Sequence, residues 1–90
     1  MDIVWDPQKA KSNFRKHKVH FADAESVLFD TMALTIEDQE IDGEVRLVTV
    51  GTDSIGRIAL VVYTYRGESI RLISARKATA SERKYYEKGI

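Results

Sequence analysis

Cysteine is absent from the chain. A disulfide scaffold, a thiolate metal site and a cysteine nucleophile are therefore excluded. Histidine occurs only as His17 and His20. They lie three apart with a helix end expected between them and no third ligand spaced nearby, so no metal motif forms. Proline occurs once and glycine five times, and no linker, repeat or low-complexity segment breaks the chain. A single domain spanning 1–90 with one modest core is expected. No apolar run is long enough to span a bilayer and the N-terminus lacks a signal-peptide core, so the expectation is a soluble cytoplasmic protein without membrane contact. A phosphate-cradling glycine loop and a nucleophile elbow are both missing. Ser74 has no histidine partner evident in sequence, which leaves a serine hydrolase unsupported. Net charge is lacking as well, with 14 basic against 14 acidic residues. A DNA-binding domain in its own right, often basic and marked by helix-turn-helix spacing, is the weaker reading.

What is present is β-forming sequence. Val45–Gly51, Arg57–Tyr65 and Ser69–Arg76 are rich in Val, Ile, Thr and Tyr and are separated by breaks that carry Gly, the pattern of a three-stranded antiparallel meander. Ile58–Tyr63 is apolar at both parities, which predicts a central strand covered on both faces. Upstream, Ile3-Val4-Trp5 reads as a short edge strand. Asp6-Pro7 then starts a helix, with Asp as N-cap and Pro at the first helical position. Ala10 and Phe14 form its narrow apolar stripe, with Asn13 and His17 one step round, and it ends near Lys18. A second helix is expected over Ala22–Phe29, then a strand over Met32–Ile36, then an acidic loop over Glu37–Glu44 with a turn at Asp42-Gly43. Thr79-Ala80-Ser81-Glu82 is a capping box that opens a last helix from Ala80 to about Lys88. Its only large side chains are Tyr85 and Tyr86. The order is strand, two helices, four strands and a helix, an α+β pattern.

Charge is unevenly laid out. Five basic residues precede Phe21, eight acidic ones and no Lys or Arg fall between Phe21 and Val45, and nine basic against four acidic residues follow. A fold that joins the two basic ends makes one face cationic and compatible with a polyanion, although ordinary solvated surface charge is the commoner reading of such a layout. The candidate constellation is cationic too: Lys16 and His17 at the end of the first helix, Arg71, Arg76 and Lys77 on or just past the last strand, Arg83 and Tyr86 on the last helix. Arginine forks match phosphate oxygens, and histidine titrates near neutral pH. Together they suit metal-free phosphodiester cleavage, in which a base takes the ribose 2′-hydroxyl proton, arginines stabilise charge growing on phosphorus, and an acid protonates the leaving oxygen. Each has a plainer alternative. His17 can be a surface or cap residue, Arg76 can pair with an acid of the middle segment, Lys77 and Arg83 can be solvated, a tyrosine of the last helix can be core, and Ser74 can be a small sheet residue. In a regular strand Arg71 faces away from Ser74 and Arg76, so one site using all three requires a bulge or bend.

Trp5-Asp6, Asn13-Phe14-Arg15-Lys16-His17-Lys18-Val19, Phe21, and above all Arg71-Leu72-Ile73-Ser74-Ala75-Arg76-Lys77-Ala78-Thr79 with Glu82-Arg83 and Tyr86 resemble the BrnT family, toxins of type II toxin–antitoxin systems. The resemblance covers essentially the whole chain. It implies a RelE-like fold, helices against an antiparallel sheet, and a metal-independent endoribonuclease that arrests translation without a cofactor. The partner it implies is a BrnA-type antitoxin with a ribbon-helix-helix domain, through which the toxin joins repression of operator DNA. By matching position it implies Lys16, His17, Arg71, Ser74 and Arg76 as catalytic candidates on RNA, with Lys77, Arg83 and Tyr86 as RNA-binding ones. The alternative is a binding module or corepressor of the same fold that has lost catalysis. Two positions depart from the family pattern. Lys18 stands where Gly is usual, at a cost of about 1 kcal/mol if the helix ends in the left-handed conformation. His20 stands where a small hydroxyl residue often caps the second helix.

Overall fold

The computed structural model describes residues 2–88, and of Glu37 and Asp38 the backbone alone. Its elements are β1 (Asp2–Val4), α1 (Pro7–His17), α2 (Phe21–Ala24) continued by a 3₁₀ segment (Glu25–Phe29), β2 (Leu34–Ile41), β3 (Glu44–Thr52), β4 (Ile58–Arg66), β5 (Ser69–Lys77) and α3 (Ala80–Glu87). The strands form one sheet in the order β1-β5-β4-β3-β2. The expected meander is its centre. The sheet is mixed rather than wholly antiparallel, because β1 pairs parallel with β5 through Ile3 and Ile70. The expected acidic loop is also corrected: residues 37–41 extend β2, and only Asp42-Gly43 turns. Both turn residues have positive φ, 52° and 79°, which matches the twist of the flanking strands.

Local chemistry explains the helix ends. The Asp6 carboxylate accepts from the Gln8 amide at 2.9 Å. Lys18 adopts φ 61°, ψ 30°, and its N–H donates to the Phe14 carbonyl, so the left-handed stop forms without glycine. The expected second helix is split. Only Phe21–Ala24 is α-helical, and Glu25–Phe29 tightens to 3₁₀. In α3 the capping box forms in both directions.

Directly opposed residues in an antiparallel ladder share a face. On one face Ala59, Val61, Tyr63, Leu72 and Ala75 pack with Val19, Phe21, Ala24 and Val27 from the helical layer. Burying a side chain such as Phe21 or Leu72 contributes roughly 1.5–3 kcal/mol. Gly51 lets the 3₁₀ segment come close to the sheet, since a Cβ there would lie 3.1 Å from both Ala33 Cβ and Val27 Cγ1. The opposite face has less cover. Its rows run Arg46–Thr64–Arg71, Val48–Val62–Ser74 and Val50–Leu60–Arg76. Val50 and Leu60 are buried, whereas Val48 and Val62 are only half-buried. Short α3 lies across one end of this face and is itself without a buried residue. Tyr85 is exposed, and Tyr86 and Glu82 tie the helix down.

Candidate functional site

The site depends on an irregularity in β5. Val62 opposes Ser74 and Tyr63 opposes Leu72, which leaves Ile73 as an extra residue. This is the bulge that a shared site requires. With it, Arg71, Ser74 and Arg76 fall on the same, open face of the sheet. Ile73 and Ser74 also line a shallow cavity of about 220 Å³ together with Lys16 and His17 of α1. Ser74 thus joins the helix-end pair to the arginine row.

Asn13 fixes α1 against this strand. Its Nδ2 donates to the Ala75 carbonyl at 2.9 Å and the Val19 carbonyl at 3.0 Å, and its Oδ1 accepts from the Ala75 amide at 3.0 Å. A side-chain amide so takes the place of a neighbouring strand where β1 has ended. Because Asn13 is buried, its hydrogen bonds form away from water and hold α1 against β5 next to Ser74.

The cations differ in their engagement. Among the described residues, the side chains of Lys16, His17, Ser74 and Arg71 make no hydrogen bond or ion pair. Arg71 is half-buried, Lys16 exposed and His17 partly exposed. Arg76 is engaged. Its Nη1 and Nη2 donate to the two Glu82 carboxylate oxygens at 2.8 and 2.9 Å, and Nη1 also reaches the Lys77 carbonyl at 3.2 Å. The partner is therefore the acid of its own capping box and not one of the middle segment. The hydrogen bond from Arg76 holds Glu82 below the usual carboxylate range although burial pushes it up. The same bond raises Arg76 above its ordinary value. Arg76 keeps its Nε and part of its Nη2 for a ligand.

The three candidate RNA-binding residues separate. Lys77 opposes Ala59 and so belongs to the helix-covered face by register, with its side chain exposed. Arg83 is exposed on α3. The Tyr86 hydroxyl donates to Asp30 Oδ2 at 2.5 Å and lies 3.0 Å from Thr52 Oγ1. Burial pushes the Asp30 carboxyl up, but the bonds from Tyr86 and from the Thr52 and Met32 amides outweigh it and hold it below its ordinary value. Asp30 in turn raises the Tyr86 phenol. This geometry gives Tyr86 the work of holding α3 to the sheet.

Sequence reasoning missed Arg46. It shares the row of Thr64 and Arg71 on the open face, and its buried Nε lies 3.6 Å from Glu44 Oε1 without a hydrogen-bond partner among the described residues. The signal was available, because Arg46 has the parity of Val48 and Val50 in β3. Among the described residues no three of His, Asp or Glu are grouped to hold a metal ion, and no helix is long and apolar enough to cross a membrane.

Residues 5–82 match the family described as "Ribonuclease toxin, BrnT, of type II toxin-antitoxin system". The chain is also similar to the ribonuclease toxin BrnT of Brucella abortus, known from a crystal structure at 1.1 Å resolution. The two are 32% identical, with a TM-score of 0.69 over 88% of this chain and 97% of the Brucella one. No curated protein sequence matches significantly.

Proposed function

The chain belongs to the BrnT family of ribonuclease toxins of type II toxin–antitoxin systems, and on that premise we propose that it cuts RNA at the Ser74-centred site, without a metal ion or cofactor, and so inhibits translation in the cytoplasm. The observation that carries this reading is the Ile73 bulge, which sets Arg71, Ser74 and Arg76 on one face, with Ser74 lining the cavity that holds Lys16 and His17. The ribose 2′-oxygen attacks the adjacent phosphorus as a base takes its proton. The bond from phosphorus to the 5′-oxygen breaks, and an acid protonates that oxygen. The products are a 2′,3′-cyclic phosphate and a 5′-hydroxyl. His17 is the proposed proton carrier, being the imidazole that lines the cavity beside Ser74. Arg71, whose fork has no partner among the described residues, and Arg76, oriented by Glu82, are the proposed donors to the phosphoryl oxygens. Lys16 and Ser74 complete the site, and Lys77 and Arg83 hold flanking phosphates. Helices α1 and α2 packed on one face of a largely antiparallel sheet, with α3 across one end of the other, support the RelE-like assignment.

Membership of a type II system implies an antitoxin partner. The partner proposed is a BrnA-like ribbon-helix-helix protein that carries the complex to operator DNA. Half-buried Val48 and Val62, rimmed by Arg46, Arg71 and Arg76, offer it an apolar centre and a cationic edge. An antitoxin with apolar anchors and rim carboxylates would cover the positions that RNA phosphates need, so inhibition is by occlusion.

Two substitutions test this. Arg71→Ala should reduce cleavage 10²–10³-fold, roughly the 3–4 kcal/mol of a lost transition-state donor, with the fold kept. Arg76→Glu should weaken both RNA and antitoxin binding. Full activity in a folded Arg71→Ala protein, or simultaneous binding of RNA and antitoxin, contradicts the reading. A second reading, a corepressor without catalysis, is favoured by the occupied fork of Arg76. It predicts antitoxin binding with no RNA cleavage by the unaltered protein.

A further inference from the structure

The other flank of α1 carries a larger groove that the proposed chemistry does not use. It encloses about 580 Å³ and includes Trp5, Lys11, Phe14, Arg15, Lys18 and His20 in its lining. Among the described residues no carboxylate lines it. The Phe14 and His20 rings stack with centroids 3.8 Å apart and planes 9° from parallel. His20 is exposed, so this flat pair presents a π-surface to solvent. The Lys18 ammonium lies 5.7 Å from the Phe14 centroid, and Trp5 is braced edge-on by buried Phe21 at 5.9 Å. His20 makes no side-chain cap to α2, so its ring is committed to the stack.

Lys11, Arg15 and Lys18 follow at steps of four and three, which places them in a row along one side of a helix and its end. Lys9, Ser12 and Lys16 occupy the other side and line the Ser74 cavity. The two cavities share no residue. The ridge between them is exposed Ser12, Arg15 and Lys16. Its width is that of one helix, about 10–12 Å with side chains. A row of cations beside a flat aromatic platform is the arrangement that holds single-stranded nucleic acid, with phosphates on the cations and a base on the ring. An acidic peptide would use the cations but gain nothing from two parallel rings.

We propose that this groove is a second RNA subsite, in which a base of single-stranded RNA stacks on His20 while its backbone crosses α1 to the Ser74 cavity. The ligand follows from the ribonuclease reading, but the subsite is judged by binding. The test uses the full chain and a fluorescein-labelled single-stranded RNA made uncleavable by 2′-O-methyl groups. His20→Ala should weaken binding about tenfold, as loss of one stacked base does. His20→Phe, which keeps a flat ring, should restore it. Lys11→Glu with Arg15→Glu should weaken binding more and flatten its salt dependence. On cleavable RNA, His20→Ala should raise KM and leave kcat within twofold. Unchanged affinity in His20→Ala and in the charge-reversed protein overturns the subsite while leaving the ribonuclease reading intact. Charge reversal that impairs antitoxin binding and not RNA binding also overturns it and gives the groove to the antitoxin. Weakened RNA binding in the variants of a protein that never cleaves RNA upholds the subsite and overturns the ribonuclease reading.

Discussion

Lys18 ties the end of α1 to the turn before β4. At φ 61° it holds a conformation that glycine adopts freely and other residues adopt at a cost. Its carbonyl accepts from Arg57 Nη1 at 3.2 Å, and Asp53 holds that guanidinium through Nε at 2.8 Å. These bonds keep the turn after α1 closed, and the strain is the cost of a cation in the basic groove. Lys18→Gly should raise stability by about 1 kcal/mol in urea denaturation. A fall in stability would show that the Lys18 contact with Phe14 outweighs the strain. This stop was legible in the sequence, because the resemblance places glycine there. Asn13 was not. It reads as a polar residue beside an apolar stripe, and nothing local indicates a partner 62 residues away. Glu82 was legible as half of a capping box, but its second bond, to Arg76, depends on how α3 folds back over the end of β5.

Among the elements, β5 and α3 decide the site. The meander was legible from β-branched runs and glycine breaks. The position of the bulge was not, because Ile70 to Ala75 reads as ordinary strand sequence; only the requirement for one could be stated. Deleting Ile73 should regularise the ladder, keep Arg71 and Ser74 on the same face, and remove one wall of the cavity. The shortened protein should fold, by thermal denaturation and circular dichroism, and lose RNA cleavage at least tenfold. A folded deletion variant with full activity would leave the bulge without a role. The acidic segment read as a loop for a physical reason: its charged residues at both parities conceal the strand alternation, and pairing with β3 overrides that local signal. For α3, Tyr86→Phe should cost about 1–2 kcal/mol near neutral pH by removing a bond to a charged group. The folded pKa of Asp30 lies below its ordinary 3.8, so its stabilisation is present above that value and is lost as pH falls through the folded pKa. The gap between Tyr86→Phe and the parent should therefore close in acid, as followed by urea denaturation across pH. A gap of constant size would assign the effect to packing instead of the charged bond.

At the scale of the molecule, sheet order turns the uneven charge of the sequence into geography. β1 and β5 are neighbours, with α1 packed on β5, so the basic N-terminal segment meets the basic C-terminal strand. Acidic β2 stands at the far edge. The charge layout allowed this separation only on the condition that the fold joins the two basic ends, which the pairing of β1 with β5 meets, and it leaves the region around β5 compatible with a polyanion. The central claim is that the cations and the histidine collected there cleave RNA themselves. It is tested most directly by incubating the purified chain with single-stranded RNA in excess EDTA and analysing the new 3′ ends. The account predicts undiminished cleavage, products ending in 2′,3′-cyclic phosphate, and loss of cleavage in a folded His17→Ala protein. Cleavage abolished by EDTA and restored by a divalent ion would contradict it.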